Sequence, residues 1–169
     1  MRWLTNENSK VNTESSVLNR WQQWGGSALG RMLFSRFLGF MAPYTGSVKP
    51  LVLELEPGRS LVALNDRRFV RNHLNSIHAI ALANLGEVAS GLAVLAALPE
   101  NVKAIVTKLE IEYVKKARGT LHAFGSAELP PNITEPTTQI ALAEIKDEIG
   151  DVVAQVKVHW QLRLKEEET

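Results

Sequence analysis

From Ile77 to Leu98 nearly every position is small or apolar, and this run sets the plan of the chain. It is apolar all round, which a surface helix is not. Asn84, Glu87 and Ser90 interrupt it too often for a membrane span, so the pattern predicts one long helix enclosed by the rest of the domain. Upstream, Val17, Trp21, Trp24, Ala28 and Met32 recur at spacings of three or four, and Leu33, Phe37 and Met41 continue the face. That period predicts helix over residues 12–42, broken or bent at Gly25-Gly26 and ended by Pro43 and Gly46. From Lys49 the period turns extended: KPLVLELEPGRSLVALN reads as two short strands around a Pro57-Gly58 turn. Pro99 stops the long helix.

Four further stretches read as strands. In KAIVTKLEIEYV, Ile105, Thr107, Leu109, Ile111 and Tyr113 are expected to face one way and Lys108, Glu110 and Glu112 the other. Gly119 turns the chain into a strand over 120–128, and the Pro- and Asn-rich LPPNITEPT is a loop. Residues 138–148 then pair with 151–163 across a Gly150-Asp151 turn. In the last of these, Val152, Ala154, Val156, Val158, Trp160 and Leu162 alternate with polar or outward positions, the clearest alternation in the chain. The terminal KEEET reads as a solvated tail. The order predicts an α+β domain with one antiparallel sheet curled around one helix, residues 49–165, preceded by a helical extension, residues 1–48.

Composition narrows the classes without choosing one. With 169 residues, 45% hydrophobic, 22% charged and a formal charge of +1, the chain has the size and balance of one ordinary globular domain, and no charge bias points to nucleic acid. The absence of cysteine removes disulfides and thiolate chemistry. His122 and His159 lack the spaced partners of a metal site. MRWLTNENSK has no apolar signal core, so a cytoplasmic protein is expected. Arg2, Lys10, Arg20, Arg31, Arg36 and Lys49 outnumber Glu7 and Glu14 in the first 49 residues. Basic and aromatic together would suit a membrane surface; the preferred reading is a helix that packs across the domain or lines a ligand tunnel, because an apolar helix face is usually core.

A carboxylate inside so apolar a helix is costly unless paired, hydrated or protonated, which singles out Glu87. Two strands, a long helix and four strands suggest the hotdog fold. The spacing of Asn72, His78 and Glu87, followed by VTKLEIEYVKKARGTL, resembles the thioesterase branch of that superfamily that contains the phenylacetyl-CoA-type thioesterases. The similarity spans Lys49 to Arg163. It implies an acyl-CoA thioesterase with Glu87 as nucleophile or general base, Asn72 orienting the carbonyl or water, the Ala79 backbone N–H as oxyanion donor, and His78 anchoring the turn. Ala79 would begin the long helix, where free N–H groups favour developing negative charge. Where those relatives read His-Gly-Gly, this chain has His78-Ala79-Ile80.

Lys115, Lys116 and Arg118 could hold the phosphates of coenzyme A, which would enter as part of the substrate, with no separate cofactor. His78 and Glu87, nine residues apart, lie half a turn out of phase and about 13.5 Å apart along an ideal helix. One chain cannot bring both to one thioester carbon. A homodimer is therefore expected, each site taking Asn72 and the Ala79 amide from one copy and Glu87 from the other, with a tetramer as a further level. The competing reading is a non-catalytic hotdog module that binds an acyl thioester or a lipid; a dehydratase fits the His-to-carboxylate spacing less well.

Overall fold

The computed structural model describes residues 15–165; the amino-terminal stretch through Glu14 and the acidic tail from Glu166 lie outside the described residues. The elements run α1 (Ser16–Trp24), α2 (Ala28–Met41), α3 (Pro43–Val48), β1 (Leu51–Glu56), β2 (Arg59–Leu64), a short 3-10 turn (Arg68–Val70), α4 (Ala79–Ala97), β3 (Val102–Tyr113), β4 (Leu121–Ala127), β5 (Thr137–Lys146) and β6 (Val152–Leu164). The strands form one antiparallel sheet of six in the order β1-β2-β4-β5-β6-β3. This is the single helix wrapped by a sheet that the pattern predicts. Although α4 is long and apolar enough to cross a membrane by length and composition, most of it is buried inside the protein.

Helix and sheet approach closely where the sequence supplies no side chain. At Gly125 in β4 an added Cβ would lie 2.2 Å from the Ala89 carbonyl oxygen, and the same oxygen accepts a 2.6 Å hydrogen bond from Ser60 Oγ of β2. Gly86 and Gly91 do the same from the helix side, against Val156 and Trp160. Around these contacts Leu85, Ala89, Ala93 and Val94 of α4 meet Val62, Leu121, Ala141 and Val158 of the sheet, all with no exposed surface. Burying such a set is the main driving force for folding, at about 1.5–3 kcal/mol for each Val or Leu side chain taken from water.

The three leading helices form a second layer. Ser15 and Ser27 cap α1 and α2 by accepting from the amides of Leu18 and Gly30, and the chain bends at Gly25-Gly26 between them. Ser15 Oγ also donates to the Leu95 carbonyl, pinning the start of α1 to the far end of α4. α2 runs along the outer edge of β1. Ser35 Oγ accepts from the Val52 amide at 2.9 Å and an Arg31 nitrogen donates to the Leu53 carbonyl at 3.4 Å, so side chains occupy groups that would otherwise recruit another strand. Phe34 anchors this layer, fully buried and edge-on to Trp21 at 5.1 Å between ring centroids. The opposite edge of the sheet, β3, has no strand beside it among the described residues.

The structure corrects two details of the pattern reading. Pro43 does not end the helical region; it is the first residue of α3, where a missing N–H costs nothing and its fixed φ suits the helix. In β3 the alternation slips, because the register with β6 shifts between Val106 and Lys108. The bulge reverses the parity, so Val102, Ala104 and Val106 join Leu109 and Ile111 against the core, while Ile105 and Thr107 are exposed.

Candidate functional site

The loop before α4 is built by its own side chains. Asn72 Oδ1 accepts from the Leu74 amide at 2.9 Å, the Ser76 amide at 3.3 Å and Ser76 Oγ at 3.1 Å, while the Asn72 amide donates to the Ser76 carbonyl. These bonds use the oxygen end of Asn72, and its Nδ2 takes no partner among the described residues. The chain then reaches His78, the N-cap of α4, whose Nδ1 accepts from the Ile80 amide at 3.1 Å. The Ala79 amide has no partner among the described residues. It is a free donor at the positive end of a 19-residue helix, the kind of group that stabilises an oxyanion. Tyr113, at the end of β3, donates from its hydroxyl to the Ala79 carbonyl at 3.1 Å and holds that first residue in place. Ile80 points outward, 51% exposed.

The β3–β4 connection lies beside this loop. The Ile77 amide donates to the Ala117 carbonyl and Arg118 Nε to the Asn75 carbonyl, at 2.8 and 3.2 Å. Asp66 fastens the same corner, accepting from Arg71 Nε at 2.5 Å and from the Gly119 amide at 3.0 Å; the Arg71 guanidinium holds its carboxyl below the usual aspartate range. Arg118 and Lys116 are exposed next to the start of α4. Lys115 is turned away from them, onto Asp147 at 2.8 Å and Asp151 at 2.5 Å.

Glu87 sits two turns further along α4, about 12 Å from Ala79 by helical rise. In one chain these groups stay apart. Its carboxylate is half-buried and takes no hydrogen bond or ion pair among the described residues, and burial alone pushes its pKa above the ordinary value of 4.5. Ile80, Ala83 and Glu87 make a stripe of α4 that the sheet and the leading helices leave partly open. On its inner side Glu87 borders a hollow of about 480 Å³ between α4 and the helical layer, which Val88, Gly91, Leu92, Leu95, Phe34 and Trp160 also line. Arg20 stands at this hollow with its guanidinium 4.2 Å above the Phe37 ring.

Two buried polar groups beside Glu87 were not marked as site residues by the sequence. Asn84, one turn back, donates from Nδ2 to Thr45 Oγ1 of α3 at 3.4 Å, while its Oδ1 is buried without a protein partner among the described residues; Trp160 Nε1 is in the same condition. Asn84 had a signal, as a polar residue in an apolar helix. Trp160 had only its inward parity, since nothing in the sequence says which helix crosses β6.

Residues 30–162 match a family model described as a domain of unknown function, DUF4442. No curated protein matches the chain. Among solved structures, the protein described as genomics APC5556 is 26% identical and superposes with a TM-score of 0.73 over 88% of this chain and 97% of its own. The thioesterase HI1161 from Haemophilus influenzae is 11% identical, with a TM-score of 0.66 over 78% of this chain and 92% of its own. A thioesterase family protein from Silicibacter pomeroyi is 14% identical, also at a TM-score of 0.66, over 78% and 96%. The fold is therefore the hotdog fold of these thioesterase-family neighbours.

Proposed function

The chain belongs to the DUF4442 family, and on that premise we propose that it hydrolyses an acyl thioester of coenzyme A at a site shared between two copies of the chain. The observation that carries this reading is Glu87: an unpaired, half-buried carboxylate on the central helix, bordering an apolar hollow, in a fold whose helix also offers a free amide at Ala79. Thioester hydrolysis needs those two groups and little else. The carboxylate takes a proton from water as the water oxygen attacks the carbonyl carbon. The Ala79 N–H and the helix dipole meet the charge that moves onto the carbonyl oxygen. When the intermediate collapses, the C–S bond breaks and the thiolate of coenzyme A leaves with the proton.

The pairing of two copies is supported by the separation of Glu87 from Ala79 within one chain and by surfaces left uncovered beside them, the Ile80-Ala83-Glu87 stripe and the outer edge of β3. In this arrangement Asn72 offers Nδ2 to the thioester carbonyl or to the water. Lys116 and Arg118 meet the phosphates, and Lys115, occupied by Asp147 and Asp151, fixes the loop that carries them. The named thioesterases among the structural neighbours favour the same chemistry.

The test is a panel of acyl-CoA substrates of graded length, followed by release of free thiol, with sedimentation velocity on the same sample. Thiol release by a dimer is expected. Binding of acyl-CoA with no release at any chain length would replace the enzyme by a non-catalytic acyl-binding module, a reading that the side chains at Ala79 and Ile80 keep in play. Asn72→Asp separates the two jobs of that residue. It retains the oxygen that organises the loop and loses the Nδ2 donor, so kcat should fall about 10-fold or more while the melting temperature stays close to the parent's. An unchanged kcat would remove Asn72 from the site.

A further inference from the structure

We propose that the hollow beneath α1–α3 is the acyl channel of the Glu87 site and that it selects acyl chains about eight to ten carbons long. This deepens the thioester reading and rests on it for the position of the reacting carbonyl. At about 480 Å³ the hollow is far larger than the gaps that close packing leaves, and it falls in the size range of small-molecule sites.

Its shape follows from α4. Beyond Glu87, the residues Val88, Gly91, Leu92 and Leu95 continue along the helix to its far end, so the trough runs about 12 Å from carboxylate to Leu95. Midway, Gly91 presents no side chain, and the Trp160 ring lies 3.0 Å from where a Cβ would stand, giving the trough a flat aromatic floor. Val17 and Ser16 of α1 close the far end, where Ser15 is bonded to the Leu95 carbonyl. Phe37 and Leu38 of α2 form the roof. Glu87 and Thr45 lie at the near end, where a carbonyl would arrive; Arg20, stacked on Phe37, and Ser16 are the other polar side chains of the lining, and the rest is chiefly hydrocarbon. A trough of this length and lining rewards each added methylene along it.

The assignment makes residues 16–45, outside the sheet and its helix, the measure of chain length. The experiment uses S-alkyl thioethers of coenzyme A, which no thioesterase can cleave, with the full-length protein in a calorimeter. The parent should bind S-decyl-CoA at least about 100-fold tighter than S-butyl-CoA, since each buried methylene contributes about 0.8 kcal/mol. Val17→Trp, which fills the far end, should cut that ratio about 10-fold or more. Val17→Ala, which opens it, should raise the affinity for S-dodecyl-CoA relative to S-decyl-CoA and guards against a misfolded tryptophan variant. Equal binding of the butyl and decyl ligands by the parent, tighter binding of S-phenethyl-CoA than of S-decyl-CoA, or a chain-length ratio indifferent to both variants would overturn the channel. Because the thioethers are inert, length selection without turnover of any natural thioester would keep the channel and remove the hydrolase.

Discussion

Glu87→Gln is expected to lose about 100-fold or more in kcat toward its best acyl-CoA while binding that ligand nearly as well as the parent. The substitution keeps the size of the side chain and its place above the hollow, and removes only the capacity to take a proton or attack carbon. The pH dependence gives an independent reading. Burial raises the Glu87 pKa, so the basic form needed for catalysis accumulates only above a pH higher than the ordinary glutamate value of 4.5, and kcat/KM should fall on the acid side of that point. Stability moves the opposite way. A carboxyl whose folded pKa is raised contributes stability that is fully present below its unfolded pKa and lost as pH rises through the folded one. Near pH 7–8 the glutamine variant, which cannot ionise, should melt above the parent, and the difference should vanish below about pH 4. A variant that is both less active and more stable is the mark of a group kept for chemistry at the expense of packing. Full activity in Glu87→Gln would refute the mechanism.

Gly125→Val should be the most damaging single change in the sheet, costing about 3 kcal/mol or more. The new side chain would meet the Ala89 carbonyl, fixed in the backbone of α4, and the Ser60 hydroxyl bonded to it. The strand must leave the helix, or the Ser60 bond to Ala89 must break. For a chain of this size the loss corresponds to a melting temperature lower by about 6–12 °C in a calorimetric scan. Gly26→Ala is the matched control. Nothing stands within 4 Å of its Cβ position, and its effect should stay within about 1 kcal/mol. Similar melting of the two variants would mean that the contact between β4 and α4 yields more easily than its geometry implies.

How far the sequence could be read depended on whether a feature is local. α4 declared itself by composition, and β6 by an alternation that its burial repeats from Ala154 to Arg163. The period-two pattern of β3 fails at one end because a bulge reverses the facing of its first half, and a bulge is a property of the pair of strands. The site divides in the same way. Glu87 was conspicuous because a carboxylate in an apolar helix is expensive, and Ala79 because it begins that helix. The hollow, by contrast, is made by α1 and α2 crossing α4 toward β6, a tertiary event with no period in the sequence. That is why Trp160 and Val17 read only as apolar positions. Pro43 was ambiguous in principle, since one residue type marks both the end of a helix and the first position of the next.

The two borders of the sheet are treated differently. Ser35 and Arg31 of α2 occupy the Val52 amide and the Leu53 carbonyl of β1, whereas the 12-residue strand β3 has its outer edge uncovered among the described residues. A sheet with both borders free can go on adding copies and grow into a filament; a sheet with one free border can add only one copy, after which the joined pair has nothing left to offer. In the paired arrangement proposed above, the helix that helps to shape the hollow would therefore also act as a stop on polymerisation. Removing it would do more than weaken the core: it should leave the proposed pair with a second border open to further copies, so that assembly no longer stops at two.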